Sequence, residues 1–270
     1  MTFGAKRPLW RSANVTDIAH AGNMISVCLK MGSLVARFAS KVLPSTCVFC
    51  GNENERQSVC TKCHERLPWN EIYCERCGQP LPASQPAGVV CAHCQLTPPS
   101  FIAARAPLIY SFPIDHALKS LKFNRQLWYA PALADLLLPV MQENYQHCDA
   151  LLPVPLHRWR QAFRGFNQVV EICLPLRRAT GLRILTDVHR IKATPPQTGL
   201  TAAERKKNLR DAFAVPDQLP CRYPLIIDDV ITTGATISQF ANVLLRAGAD
   251  DVSALAVARV DQFAATGVNV

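Results

Sequence analysis

The chain has 270 residues, 49% of them hydrophobic, and a formal charge of +9 from 29 Lys and Arg against 20 Asp and Glu. That length holds one medium domain and a small one, not three ordinary domains, and the hydrophobic share excludes a largely disordered chain. The charge is local: residues 156–210 carry 12 basic and 3 acidic residues, the whole of the +9, so an anionic partner belongs near that stretch.

Residues 1–44 read as a leader. Ile25, Leu29, Val35, Phe38 and Val42 fall at roughly helical spacing, and Met24 and Met31 offer alternative starts. Lys30, Arg37 and Lys41 interrupt every apolar run, which argues against an export signal and predicts no transmembrane segment. Twelve cysteines behind such a leader indicate a reducing, cytoplasmic setting, where paired cysteines bind metal.

Eight of the cysteines form four Cys-x-x-Cys pairs: Cys47/Cys50, Cys60/Cys63, Cys74/Cys77 and Cys91/Cys94. One pair clasps half of a tetrahedral Zn²⁺ and two pairs complete it, so residues 45–97 are expected to hold two structural zincs. Gaps of 9, 10 and 13 residues favour sequential pairing over an interleaved one, which stays open. A module this small has too few apolar groups to fold on packing alone, and apparent zinc binding of about 10–16 kcal/mol per site is expected to dominate its stability. A closed Cys₄ site has no open position for catalysis. Phe49, Trp69 and Tyr73 among Lys62, Arg66 and Arg76 allow two readings: a stacking surface for single-stranded DNA, or the core of a scaffold or docking ribbon.

Pro98, Pro99 and Pro107 mark the exit from this module, and from about 104 to 262 strands alternate with helices. Apolar strands are expected at 108–111, 150–154, 225–227 and 252–258. Helices are expected over 114–144 with breaks near Pro131 and Pro139, over 166–180 stopped by Gly181, and over 236–247 stopped by Gly248. Strands without polar alternation between helices predict a parallel sheet covered on both faces, an α/β domain.

The segment Pro224 to Thr236 carries the chemistry. An apolar strand leads into Asp228 and Asp229, then Val230 and Ile231, then Thr232, Thr233, Gly234, Ala235 and Thr236 before a helix. A loop of small residues turns backbone N–H groups toward one centre, and the helix behind it adds its positive end, a geometry suited to a phosphate monoester. The carboxylates repel phosphate but suit ribose hydroxyls and an oxygen-ligated Mg²⁺. This segment resembles the signature of type I phosphoribosyltransferases, departing from it at Pro224, where an apolar residue is usual. The resemblance implies that Asp228 and Asp229 contact ribose, that residues 230–236 hold the 5′-phosphate, and that the ligand is phosphoribosyl pyrophosphate or a similar sugar phosphate.

A second strand end, Leu152 to His157, precedes Arg158, Arg160 and Arg164-Gly165-Phe166-Asn167-Gln168. In phosphoribosyltransferases such a loop contacts pyrophosphate, which makes Pro155, Leu156, Arg158 and Arg164 the candidates for that side. His157 is the nearest general-base candidate, though a structural role suits it better. The Pro153-Val154-Pro155 and Arg-Gly-Phe-Asn-Gln runs, with Gln197 to Leu200 and Glu204 to Phe213, resemble the ComF family over about residues 45–260. That resemblance implies a double zinc ribbon before a phosphoribosyltransferase-like domain and a role in DNA uptake, with single-stranded DNA and the uptake machinery as partners. It also places a hood over the site at 194–213, with Arg205, Lys206 or Lys207 approaching the anion. Two functions follow: a binding protein using this site in DNA uptake, or a Mg²⁺-dependent phosphoribosyltransferase of nucleotide metabolism.

Overall fold

The computed structural model describes residues 45–54, 58–190, 213–216 and 218–262. The leader and the basic hood residues 205–207 lie outside the described residues. In chain order the elements are β1 (Ser45–Thr46), β2 (Glu53–Asn54), α1 (Thr61–Glu65), α2 (Ala92–Leu96), β3 (Ala103–Arg105), β4 (Leu108–Ile109), α3 (Ile114–Asn124), α4 (Tyr129–Asn144) and β5 (Ala150–Pro153). Then follow α5 (Arg158–Arg164), α6 (Gln168–Thr180), β6 (Arg183–Ile184), β7 (His189–Arg190), β8 (Phe213–Ala214), β9 (Pro224–Ile231), α7 (Ala235–Arg246) and β10 (Ser253–Arg259).

The main sheet has the order β3-β10-β9-β5-β6, with β4 also pairing to β10, and every pair in it is parallel. All of β5 and β10 and the first four residues of β9 are buried, as strands covered on both faces must be. Side-chain alternation divides these strands between two cores. Leu225, Ile227, Leu255 and Val257 pack with α3, α4 and α6, whereas Ile226, Ala254 and Ala256 pack with Phe240 and Leu244 of α7. The fold class is α/β, as the pattern of apolar runs predicts.

Two expectations about elements are corrected. The 114–144 helical stretch breaks at Arg125, which is left-handed with φ 54°, and not at the prolines. Pro131 falls in the first turn of α4, where its missing N–H has no partner to lose. Pro139 lies inside α4, where burial of Leu136, Leu137 and Met141 outweighs one lost helical bond. The strand expected to end at Ile227 runs on to Ile231, because β10 continues to pair with it: Asp228 faces Ala256 and Ile231 faces Arg259. Both carboxylates therefore sit on a strand and not on the following loop.

The cysteine-rich part is packed against the sheet part at two places. Near Cys47, the Ser58 hydroxyl donates to Asp135 Oδ2 at 2.7 Å and Phe49 lies 6.3 Å from Tyr129 of α4. Near Cys77, the Ala104 N–H donates to the Arg76 carbonyl, Arg105 pairs with Glu75, and Asn70 Nδ2 donates to the carbonyls of Gly78 and Ala106. The second contact covers the β3 edge of the sheet, where a bare strand edge would otherwise invite pairing with another chain. Among the described residues no helix is long and apolar enough to cross a membrane.

Candidate functional site: a crevice above β5 and β9

Strands β5 and β9 are neighbours, with Pro153 opposite Ile227. Their continuations diverge: β5 leads through α5 and α6 to β6 on one side, and β9 leads through α7 to β10 on the other. A divergence of this kind opens a crevice over the carboxyl ends of the strands, the place where α/β sheets bind ligands. The crevice therefore collects residues 154–157 from one strand and 228–236 from the other.

Asp229 is buried, and two donors converge on its Oδ2: Lys122 Nζ from α3 at 2.7 Å and Gln168 Nε2 from α6 at 2.6 Å. Asp228 is half-buried, one residue earlier on the strand, and points to the other side. Its Oδ1 accepts the Asp229 backbone N–H at 2.8 Å. Burial and the adjacent Asp229 charge push the Asp228 carboxyl up to about 7, against the pull of Lys122 and Arg190. The pair is thus not two equivalent acids: Asp229 is already engaged by Lys122 and Gln168, and Asp228 is the one that gains most from a cationic or hydroxyl ligand.

The Arg-Gly-Phe-Asn-Gln run is an assembled support for that arrangement. Arg164 Nη1 donates to Gln168 Oε1 at 2.5 Å, and Gln168 passes the interaction on to Asp229. Gly165 ends α5 in the left-handed conformation, and Phe166 lies under the Arg125 guanidinium at 5.8 Å. Asn167 caps α6, its Oδ1 accepting from the Val169 N–H at 3.0 Å, while its Nδ2 donates to the Val154 carbonyl at 3.1 Å. That second bond ties the start of α6 to the chain just beyond β5.

Cations surround the crevice. Arg164 is held beside Asp229, and burial together with the Arg160 charge lowers its pKa while Asp229 opposes the shift. Arg190, over the Phe213 ring at 5.7 Å, is lowered by burial and by Arg160, with Asp228 opposing. Pro155 and Leu156 are half-buried at the exit of β5, and Arg158 begins α5. His157 is buried and its Nδ1 accepts the Trp159 N–H at 3.4 Å, so it serves as the cap of α5. On the other side, Thr232 and Thr233 are exposed, Thr236 is half-buried, and Thr233 Oγ1 accepts the Ala235 N–H at 3.3 Å. Gly234, with φ 80°, turns the chain into α7, whose amino end faces the crevice.

The eight paired cysteines form two separate groups, Cys47/Cys50/Cys60/Cys63 and Cys74/Cys77/Cys91/Cys94, with the Sγ atoms of each within 4.8 Å of one another. Sequential pairing, the favoured expectation, is the one found. Both groups are built alike. The Cys60 N–H donates to Cys47 Sγ at 3.3 Å, and the Cys91 N–H donates to Cys74 Sγ at 3.2 Å. The neighbouring Cys77 thiol, with the backbone N–H groups of Cys91 and Cys77, pulls Cys74 down to about 4 against the cost of burial. Four convergent sulfurs with a thiolate already favoured fit Zn²⁺, which supplies structural cross-links and no open coordination position.

Sequence reasoning missed Lys122, Arg190 and Arg259. Lys122 gave no signal, being one lysine in an amphipathic helix. Arg259 did give one, since it ends the run Ser253–Arg259, which is buried throughout. Of the two readings of the ribbon aromatics, their contacts favour the scaffold one: Trp69 Nε1 donates to the His64 carbonyl and its ring lies 4.7 Å from His64, while Tyr73 lies under Arg105. More exposed aromatics lie elsewhere, among them Phe112 (79% exposed) just before α3. Phe123 (70% exposed) and Trp128 (59%) flank the α3–α4 turn, and Trp159 (70%) and Phe163 (97%) project from α5. Arg164, at the end of α5, lies over the ring of Phe123 of α3 at 5.2 Å, so these two helices meet beside the crevice.

Comparison with known proteins agrees with this architecture. The family model described as the double zinc ribbon domain matches residues 38–95. The DNA utilization protein YhgH of Escherichia coli K12 is 33% identical over 207 residues, covering 74% of this chain and 90% of its own. Competence protein F of Haemophilus influenzae is 31% identical over 224 residues, covering 79% of this chain and 96% of its own. Competence protein ComFC of Streptococcus pneumoniae is 24% identical over 215 residues, or 76% and 90% of the two chains. Among solved structures, the allosteric regulatory enzyme of purine biosynthesis is 18% identical over 48% of this chain and 26% of its own, at a TM-score of 0.34, a likeness too partial to bear on chemistry. With these relatives matched along most of their length, and with the ribbon and the parallel sheet in place, the chain belongs to the ComF family.

Proposed function

We propose that the crevice above β5 and β9 binds phosphoribosyl pyrophosphate or a closely similar sugar phosphate, with Mg²⁺, and that the protein uses this site in DNA uptake in the cytoplasm. The observation that carries the reading is the placement of Asp228 and Asp229 at the end of a buried strand, directly before a threonine-rich turn at the amino end of a helix, at the point where the sheet connections diverge. In this reading the turn Thr232 to Thr236 takes the 5′-phosphate, and Pro155, Leu156, Arg158 and Arg164, with Arg160, face the pyrophosphate. Asp229 Oδ2 is already engaged by Lys122 and Gln168, so the ribose hydroxyls and Mg²⁺ fall to Asp228 and to the other oxygen of Asp229.

The names of the relatives, DNA utilization protein and competence protein, support the cellular role. Single-stranded DNA fits the face formed by Phe123, Trp128, Trp159 and Phe163 with Arg125, Arg160 and Arg164, because bases stack on exposed rings while guanidinium groups follow the phosphates. His157, the base candidate nearest in sequence, is committed to capping α5, so the reading rests on binding and not on turnover.

Calorimetric titration with phosphoribosyl pyrophosphate and Mg²⁺ tests the reading, with Asp228→Asn/Asp229→Asn as comparison. Saturable binding by the wild type that the double variant loses supports it. No heat from the wild type refutes it, and release of pyrophosphate with any nucleobase would make the protein an enzyme.

A further inference from the structure

The chain around the end of α3 grips the crevice at three points. Lys122 Nζ reaches Asp229 Oδ2 at 2.7 Å. The next side chain, Phe123, lies under the Arg164 guanidinium at 5.2 Å. Two residues on, Arg125 covers the turn between α5 and α6. Its guanidinium lies over the Phe166 ring at 5.8 Å, and a Cβ on Gly165 would stand 2.9 Å from its Nη2. Any side chain at Gly165 would push that guanidinium aside.

These contacts close a circuit. Arg164 Nη1 donates to Gln168 Oε1 at 2.5 Å, and Gln168 Nε2 donates to Asp229 Oδ2 at 2.6 Å. Lys122 then returns from Asp229 to the residue before Phe123. Phe123 is thus joined to the acid pair by two routes, one through its own backbone and one through Arg164. Lys122 and Asp229 are largely enclosed, yet Phe123 is 70% exposed and Phe163, the residue before Arg164, is 97% exposed. Most of the Phe123 ring is therefore left to a partner from outside. The charge beside it says which kind: residues 156–210 carry 12 basic and 3 acidic residues, so an aromatic, anionic polymer is matched in both respects.

We infer that single-stranded DNA on the exposed aromatics and a sugar phosphate in the crevice bind cooperatively, with Phe123 and Arg164 as the positioning pair that they share. A guanidinium can stack through its face and donate through its edge at the same time. A base stacked on Phe123 fixes the ring, and with it the Arg164 group that faces the pyrophosphate. Pyrophosphate on Arg164 in turn fixes the ring for the base. The first ligand meets the cost of ordering both side chains, and the second binds without it. By linkage the gain is equal in the two directions. This coupling rests on the sugar-phosphate crevice and the DNA face proposed above, and the test separates its failure from theirs.

The full-length protein is titrated by calorimetry with phosphoribosyl pyrophosphate, with and without saturating oligothymidylate. A labelled oligothymidylate is titrated by fluorescence anisotropy, with and without phosphoribosyl pyrophosphate, and Mg²⁺ and salt are held constant throughout. The readout is the ratio of affinities with and without the other ligand. In the wild type each ligand tightens the other roughly five-fold, by the same factor in both titrations. Phe123→Leu keeps an apolar side chain without a ring and brings the ratio to one, whereas Phe123→Tyr keeps the ring and the ratio. A loss of oligonucleotide affinity in Phe123→Leu does not disturb this reading, because the ratio compares the variant with itself.

A ratio of one in the wild type, or one that persists in Phe123→Leu, overturns the coupling and leaves the crevice reading in place. A ratio below one means that the two anions compete for the arginines, and overturns the coupling as well. Absence of heat from phosphoribosyl pyrophosphate refutes the crevice, and absence of oligonucleotide binding refutes the DNA face; either result removes the coupling with it.

Discussion

Lys122 Nζ lies 2.7 Å from Asp229 Oδ2, joining the end of α3 to the strand that carries the acid pair. Both side chains are largely buried, at 19% and 8% exposure, so the pair is a fixed part of the crevice and not a surface contact. Removing one partner leaves a buried charge alone, which costs about 3–5 kcal/mol where no rearrangement relieves it. Lys122→Met is therefore expected to lower the urea midpoint substantially with an unchanged slope, and adding Asp229→Asn to it recovers part of the loss. A single variant as stable as the wild type contradicts this account of the pair.

Asn167 has two tasks, capping α6 and holding the Val154 carbonyl. Asn167→Ala loses the cap, worth about 1 kcal/mol, and leaves a buried carbonyl unpaired at a further cost of about 1–3 kcal/mol. Asn167→Ser keeps an acceptor for the cap and is expected to fall between the two in denaturant unfolding. Equal losses for Ser and Ala would mean that the Val154 contact alone matters.

Much of this was legible in the sequence, and the parts that were not have physical causes. The parallel sheet showed in apolar runs without alternation, and the spacing of the paired cysteines favoured their sequential grouping while leaving the interleaved one open, which the convergence of the sulfurs decides. The extent of β9 did not show, because Asp228 and Asp229 look like loop residues until β10 is known to pair with them. Lys122 reaches Asp229 across more than 100 residues of chain, a contact that helical periodicity does not report. The ribbon aromatics had the composition of a nucleic-acid surface, and only the structure shows Trp69, Tyr73 and Phe49 half-buried against His64, Arg105 and Tyr129.

The exposed aromatic face yields a prediction that the ribbon does not. Trp159→Ala/Phe163→Ala is expected to weaken binding of a labelled single-stranded oligonucleotide by about ten-fold or more in fluorescence anisotropy, since one stacked base contributes about 1–3 kcal/mol. Raising the salt concentration weakens wild type and variant alike through the arginines. Unchanged affinity in the variant removes this face from DNA recognition.

Cysteine reactivity separates the metal ligands from the packing thiols. Burial first, and the Asp149 charge second, push Cys148 up to about 12 and Cys221 up to about 11, and burial raises Cys173 as well. At pH 8 these thiols stay protonated and enclosed, so iodoacetamide modifies them slowly. A chelator is expected to expose the eight paired cysteines to rapid alkylation, mapped by mass spectrometry of peptides, and to release two zincs per chain. Alkylation of Cys173 ahead of the paired cysteines contradicts that order.

The central claim is that the ends of β5 and β9 hold a sugar phosphate, and a crystal structure grown with phosphoribosyl pyrophosphate and Mg²⁺ tests it most directly. The account predicts the 5′-phosphate at the amino end of α7 among Thr232, Thr233 and Thr236, the ribose beside Asp228, and the pyrophosphate toward Arg160 and Arg164. Ligand density at any other place on the molecule, with this crevice vacant, would contradict it.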